Sequence, residues 1–264
     1  MVYEAFSCKE YFTRFFSGCY VQSCLMSIKR LHYIQLDILR VLLFATSKRY
    51  SEIKPIDMES SQFKFHLDSL IKSGLIEKCD DGLYRLTFNG KEFANQMDTL
   101  DVSMRRQSKI SAKICCVRDS GKEKEYLLYT RQKNPFFGYQ GFPNAKIWYG
   151  ESFIDGVKRG LYSETNLQVS REPELMAIRH YRVFSKEQRI LLEDKTMFIY
   201  RIVNPTGELL SKKDGVFKWV KETEVAEFVQ YPLPEFEEIV RILKGDGITK
   251  DLDEVEFEVN LIDF

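Results

Sequence analysis

Residues 141–167 read GFPNAKIWYGESFIDGVKRGLYSETNL, and the rest of the chain either supports this stretch or is attached to it. Gly141, Phe142 and Pro143 break a preceding strand, Gly150 closes a turn, and Glu151 is expected to open a helix with an acid where the helix dipole favours one. Ile154, Val157 and Leu161 recur at helical spacing and give that helix a buried stripe. Positions 160, 163 and 164 share another face one turn apart, where a helix can present carboxylates to a divalent metal. Of the three, only Glu164 is an acid. A strand end, a tight loop and one helix in this order have the layout of a phosphate-handling site.

With those residues in place, the stretch resembles the signature box of the Nudix hydrolases, which cleave nucleoside diphosphates linked to another moiety. That box runs glycine, five residues, glutamate, seven residues, then R-E-U-x-E-E-x-G-U with U aliphatic. Ala145 stands at its first glycine, and Glu151, Arg159 and Leu161 match. Gly160 and Ser163 replace two metal-binding glutamates, Glu164 keeps the third, Asn166 replaces glycine and Leu167 is retained. The resemblance implies Mg²⁺ or Mn²⁺ as cofactor, with Glu151, Glu164 and the Ala145 carbonyl as metal ligands. It also makes Arg159 a brace for the loop through Glu151. Hard ions need anionic oxygens, so replacing two carboxylates by a hydrogen and a hydroxyl lowers the expected metal affinity. Two accounts follow: hydrolysis has become weak or lost, or other acids complete the site, with Glu187, Glu193 and Asp194 in FSKEQRILLEDK as candidates. In the second account Glu151, Glu164, Arg159 and Glu187 are the catalytic set.

Composition narrows the alternatives. The chain has 264 residues, 44% of them hydrophobic, enough for two modest cores. Lys plus Arg equals Asp plus Glu at 39 each, so no global field points to nucleic acid or a membrane surface. The six cysteines form no C-x-x-C pair, and adjacent Cys115 and Cys116 are expected on opposite faces of one strand, as reduced thiols of a cytoplasmic protein. Three histidines, His32, His66 and His180, make a poor basis for a zinc site. No apolar run approaches the ~20 residues of a membrane span.

Residues 1–27 are an unassigned extension, rich in aromatics and without the pattern of a secretion signal; either translation starts at Met26, where ordinary patterning begins, or Tyr11, Phe12, Phe15 and Phe16 form the apolar face of a short helix. From 28 to 100 the pattern is helical, then hairpin. Ile34, Ile38, Leu42 and Ala45 stripe one helix ending near Lys48, a short turn covers residues 51–54, and residues 60–73 form a third helix ended by Gly74. Two strands, 75–78 and 84–87, flank the turn at 79–82, and a last helix covers 90–97. The runs HLDSLIKSGLIEK and DDGLYRLTFNGKEFA resemble winged helix-turn-helix domains of transcription regulators. That resemblance implies that the third helix enters a DNA groove with Ser61, Gln62, Lys64 and Lys72 outward, and that wing residue Arg85 meets phosphate. Against it, residues 28–100 hold 11 Lys and Arg to 10 Asp and Glu, a weak field for DNA.

Residues 101–108 read as a linker, and 109–244 as the second domain: strands at 110–117 and 126–131, the loop QKNPFFGYQ, the box, strands at 175–184 and 195–203, and FKWVKETEVAEF, similar to the end of a Nudix sheet. A final helix follows Pro234, and the acid-rich tail 245–264 carries no clear element. Arg131, Phe137 and Arg182 are the candidate ligand contacts, with Lys133, Arg179, Phe136 and Tyr139 beside them. The expectation is an α+β chain, an N-terminal winged helix domain followed by a Nudix α/β/α sandwich with a mixed sheet. Its implied partner is a nucleotide-derived small molecule; DNA binding, ligand-responsive regulation and an isologous homodimer remain open.

Overall fold

The computed structural model describes residues 31–119, 121–211, 214–245 and 249–264, so the extension 1–27, with the start at Met26 and the alternative short helix, lies outside the described residues. The chain divides after Arg106 into two compact units.

In the first unit, α1 spans Tyr33–Leu43, α2 Tyr50–Ile53 and α3 Ser60–Lys72. Strands β1 (Ile76–Lys78) and β2 (Tyr84–Leu86) pair antiparallel, and α4 runs Phe88–Ala94. His32 caps α1 by accepting from the Ile34 amide at 3.3 Å while Gln35 accepts from the His32 amide at 2.9 Å, which satisfies two otherwise orphan donors. The expected stripe is buried: Ile34, Ile38 and Leu42 meet Phe63, Leu67 and Leu70. α1 stops at Leu43, earlier than its stripe suggested, because Phe44 is already non-helical. Gly90 cannot be replaced cheaply, since a Cβ there would lie 1.9 Å from the Leu75 carbonyl oxygen.

The second unit is a mixed sheet with helices on both faces. β3 (Lys109–Asp119) runs parallel to β8 (Leu191–Val203) and antiparallel to β4 (Lys124–Arg131) and β6 (Asn144–Lys146). β7 (Glu174–Ser185) pairs antiparallel with β8; β5 (Gln140–Gly141) and β9 (Gly215–Lys221) pair with β4. Alternation along β3 sorts the two cores. Ala112, Ile114 and Cys116 face helix α5 (Phe153–Thr165) through Val157 and Leu161, whereas Cys115 and Val117 join Tyr181, Met197 and Ile199 beneath helix α7 (Phe236–Leu243). The adjacent cysteines do point to opposite faces, and burial pushes the Cys115 thiol up to about 12 and Cys116 well above its usual range. A 3₁₀ turn (Glu222–Glu224) and α6 (Val225–Phe228) connect β9 towards α7.

Two boundaries differ from expectation. β8 begins at Leu191, so Glu193 and Asp194 lie on a strand and the β7–β8 connection is only residues 186–190. The acidic tail is β10 (Thr249–Val259), parallel to β7 at the sheet edge. Val255, Phe257 and Val259 pack on the cores, while Glu254 and Glu256 reach Arg182 at 2.9 and 3.0 Å and Glu258 pairs with Arg189. Charge along an edge strand also discourages further pairing.

Candidate functional site

The loop between β6 and α5 is held by one ion pair. Arg159 on α5 donates through Nε to Glu151 Oε1 at 2.6 Å and through Nη2 to Oε2 at 2.9 Å, and Nη2 also reaches the Lys146 carbonyl at 2.7 Å. The Trp148 amide donates to Glu151 Oε2 at 3.0 Å, and the Arg159 guanidinium lies 3.6 Å from the Trp148 ring centroid. These bonds, the arginine first, hold the Glu151 carboxyl below its usual range despite partial burial. Glu151 therefore does not open the helix. Ser152 does, its Oγ accepting from the Asp155 amide at 3.1 Å, and Asp155 is the acid of the first turn.

Of the three positions expected to carry carboxylates, 160 is packed against the sheet and Ser163 is exposed. Gly160 is buried, and a Cβ there would lie 2.3 Å from the Ala145 Cβ and 3.1 Å from Ile114 Cδ1. One turn earlier, a Cβ on Gly156 would fall 2.6 Å from Ile147 Cδ1. Two glycines four residues apart thus let α5 lie directly on β6. Ser163 Oγ donates to the Gly160 carbonyl at 3.1 Å, and Glu164 is half-buried. Among the described residues, no three His, Cys, Asp or Glu side chains group to hold a metal ion. Magnesium and manganese require several anionic oxygens, and this donor set does not fit them.

The other candidates are spoken for elsewhere. Glu187, in the β7–β8 connection, accepts from Ser185 Oγ at 2.7 Å and from the Leu261 amide at 3.0 Å, tying the tail down. Asp194 pairs with His180 at 2.9 Å. Arg131 braces its own loop, donating to the Pro135 carbonyl at 2.5 Å, and Lys133 pairs with Asp214. Arg182 holds β10, and Arg179 joins Glu238 of α7 at 2.7 Å. Phe137 is 60% exposed, but Phe136 is buried against Tyr139 and Phe264. The structure joins Glu151 to Arg159, sets Ala145 against Gly160 of the same helix, and leaves Glu187, Arg131 and Arg182 in separate contacts.

A charged group of which the sequence pointed only to Glu193 lies on the opposite face of β3 from α5. Lys113, 1% exposed, reaches Glu235 at 2.7 Å and the Phe142 carbonyl at 3.2 Å. Lys195 contacts Glu193 at 3.0 Å and Glu235 at 3.7 Å, and Lys109 reaches Glu193 at 3.4 Å. Burial opposes charge on Glu235, but Lys113 and Lys195 outweigh it and bring its carboxyl down to about 2. The same balance, with Glu235 and Glu193 overcoming burial, raises Lys195. The one trace in the sequence is KISAKICCV, where Lys113 follows Lys109 and Ser111 on one face of a strand that is apolar from Ile114 on.

In the first unit, Ser61, Gln62, Lys64 and Lys72 of α3 are all exposed, whereas Arg85 donates to Glu77 across the hairpin at 2.6 Å.

The family model for the NUDIX domain matches residues 108–241. The chain belongs to the NUDIX family. No curated protein matches it. Among solved structures, the NUDIX chain is similar to a MutT protein from Bacillus halodurans, with 22% identity over 59% of this chain and 93% of that one at a TM-score of 0.44. It is also similar to the NUDIX domain of Shewanella oneidensis NrtR complexed with ADP ribose, with 15% identity over 61% and 98% at a TM-score of 0.46. Among the described residues, no helix is long and apolar enough to cross a membrane.

Proposed function

We propose that this NUDIX protein binds a nucleoside-diphosphate-linked ligand and that its pyrophosphohydrolase activity is weak or lost. The observation that carries this is the contact between α5 and β6. Ala145 fills the space into which a side chain at 160 would project, so the box retains its loop brace, Glu151 with Arg159, but not its metal-bearing face. A rigid loop without a metal set suits recognition better than bond cleavage. In this reading Phe137 is available for stacking on a base.

The test titrates the purified chain calorimetrically with ADP and with ADP-ribose, in Mn²⁺ and in EDTA, while phosphate products are assayed in the same samples. Binding without turnover is expected. Turnover that needs Mn²⁺ would establish instead an active hydrolase whose carboxylates come from elsewhere in the chain.

A second reading concerns residues 28–100, which we take as a winged helix domain, followed by a linker at 101–108 and the NUDIX domain. The outward Ser61, Gln62, Lys64 and Lys72 favour DNA contact regulated by the ligand, whereas the Arg85–Glu77 pair takes the wing arginine out of a phosphate role unless it opens. Ligand-dependent retention of genomic fragments at low salt supports this reading, and absence of any retention removes it.

A further inference from the structure

Ser111 sits near the start of β3 on the face opposite α5, 5% exposed, and its hydroxyl makes no hydrogen bond in the structure. A buried hydroxyl without a partner costs free energy, so its presence asks for an explanation. Its surroundings supply one. Lys109 and Lys113 flank it two residues away on the same face; Lys146 stands directly across on β6; Lys195 is the β8 neighbour of Lys109. Four lysines thus hold neighbouring register positions on the face of the orphan hydroxyl, while Glu193 and Glu235 provide only two carboxylates to the group. Lys113 and Lys195 are the buried pair those acids balance, which leaves the more exposed Lys146, with Lys109 at 3.4 Å from the shared Glu193, in excess at the rim. The rim is tied to the box, because Arg159 donates to the Lys146 carbonyl as it grips Glu151.

We propose that Ser111, Lys109 and Lys146 bind the diphosphate of the ligand without a metal ion. The inference rests on the nucleotide-binding reading and adds where the phosphates sit and what neutralises them. The hydroxyl donates to a phosphate oxygen and the rim ammonium groups supply the positive charge that a divalent cation would otherwise provide. The arginine brace of the box then has a use that does not depend on catalysis: it fixes the backbone of Lys146.

The test is calorimetric titration of the full chain with ADP in EDTA, with Ser111→Ala and Lys146→Ala as variants and thermal melts on each. Binding in EDTA is expected, weakened about tenfold in either variant, with the Ser111→Ala melt unchanged or higher because the lost hydroxyl had no partner. Inorganic pyrophosphate should compete with ADP and adenosine should not. Parent-like ADP affinity in both variants overturns the site and leaves the nucleotide reading standing. Binding only with Mn²⁺ overturns the metal-free neutralisation. No binding of ADP, ADP-ribose or pyrophosphate under any condition overturns the site and the reading together.

Discussion

The two faces of β3 differ in kind. On one, Ala112 and Ile114 meet α5 through carbon, and Gly160 brings that helix so near Ala145 that no further side chain fits. On the other, Lys109 and Lys113 meet carboxylates and a carbonyl through charge, and the Ser111 hydroxyl between them has no partner. A NUDIX box would place its anionic work on the helix side. Here the charge lies across the strand, and it is cationic in excess. The difference teaches that the box can keep its spacing and its loop brace while packing against Ala145 fills the space beside position 160.

Breaking the charged face should have the largest effect. Glu235→Ala leaves the buried Lys113 without its carboxylate, and loss of one partner of a buried pair costs about 3–5 kcal/mol; urea unfolding of the variant measures it. Acid probes the same pair in the parent. Because the folded Glu235 carboxyl lies at about 2, below its unfolded value, its contribution is fully present above the unfolded pKa of about 4.3 and is lost as pH falls through about 2. Melts from pH 6 to pH 2 should show stability declining in that window, and a Glu235→Gln chain should decline less.

The packed face is sharpened by a cycle. Gly160→Ala puts a methyl 2.3 Å from the Ala145 Cβ and should cost about 1–3 kcal/mol, whereas Ala145→Gly made with it should restore much of that loss. Additive effects in the double variant would mean that the two positions do not compete for one space. The smallest effect expected is at the helix start, where Ser152→Ala removes the cap on Asp155 and should cost about 1 kcal/mol in the same unfolding assay.

Much of this was legible in the chain itself. The helix under the box followed from Ile154, Val157 and Leu161, and its grip on the loop from Arg159 eight residues after Glu151, because those relations are local. The lysines were missed for the opposite reason: Lys113 and Glu235 are 122 residues apart, and neither says alone that it is buried. The tail was missed because Glu254, Glu256 and Glu258 resemble a solvated run until Arg182 and Arg189 are seen opposite them. Glu151 was expected at the helix start on dipole grounds, but an arginine within reach outweighs a partial charge, and the serine beside it takes the cap. The meaning of Gly160 depended on Ala145, which stands in the family's glycine position and becomes a neighbour only when α5 folds back on β6.

The most direct test of the account is titration of the parent chain with Mn²⁺ in the presence of ADP, followed by electron paramagnetic resonance of the free ion. The packing at Gly160 predicts that the chain takes up no Mn²⁺ of its own, so the free-ion signal never falls below that of the ion with ADP alone, and that Glu164→Gln changes nothing. One Mn²⁺ taken up per chain, and released by Glu164→Gln, would contradict it.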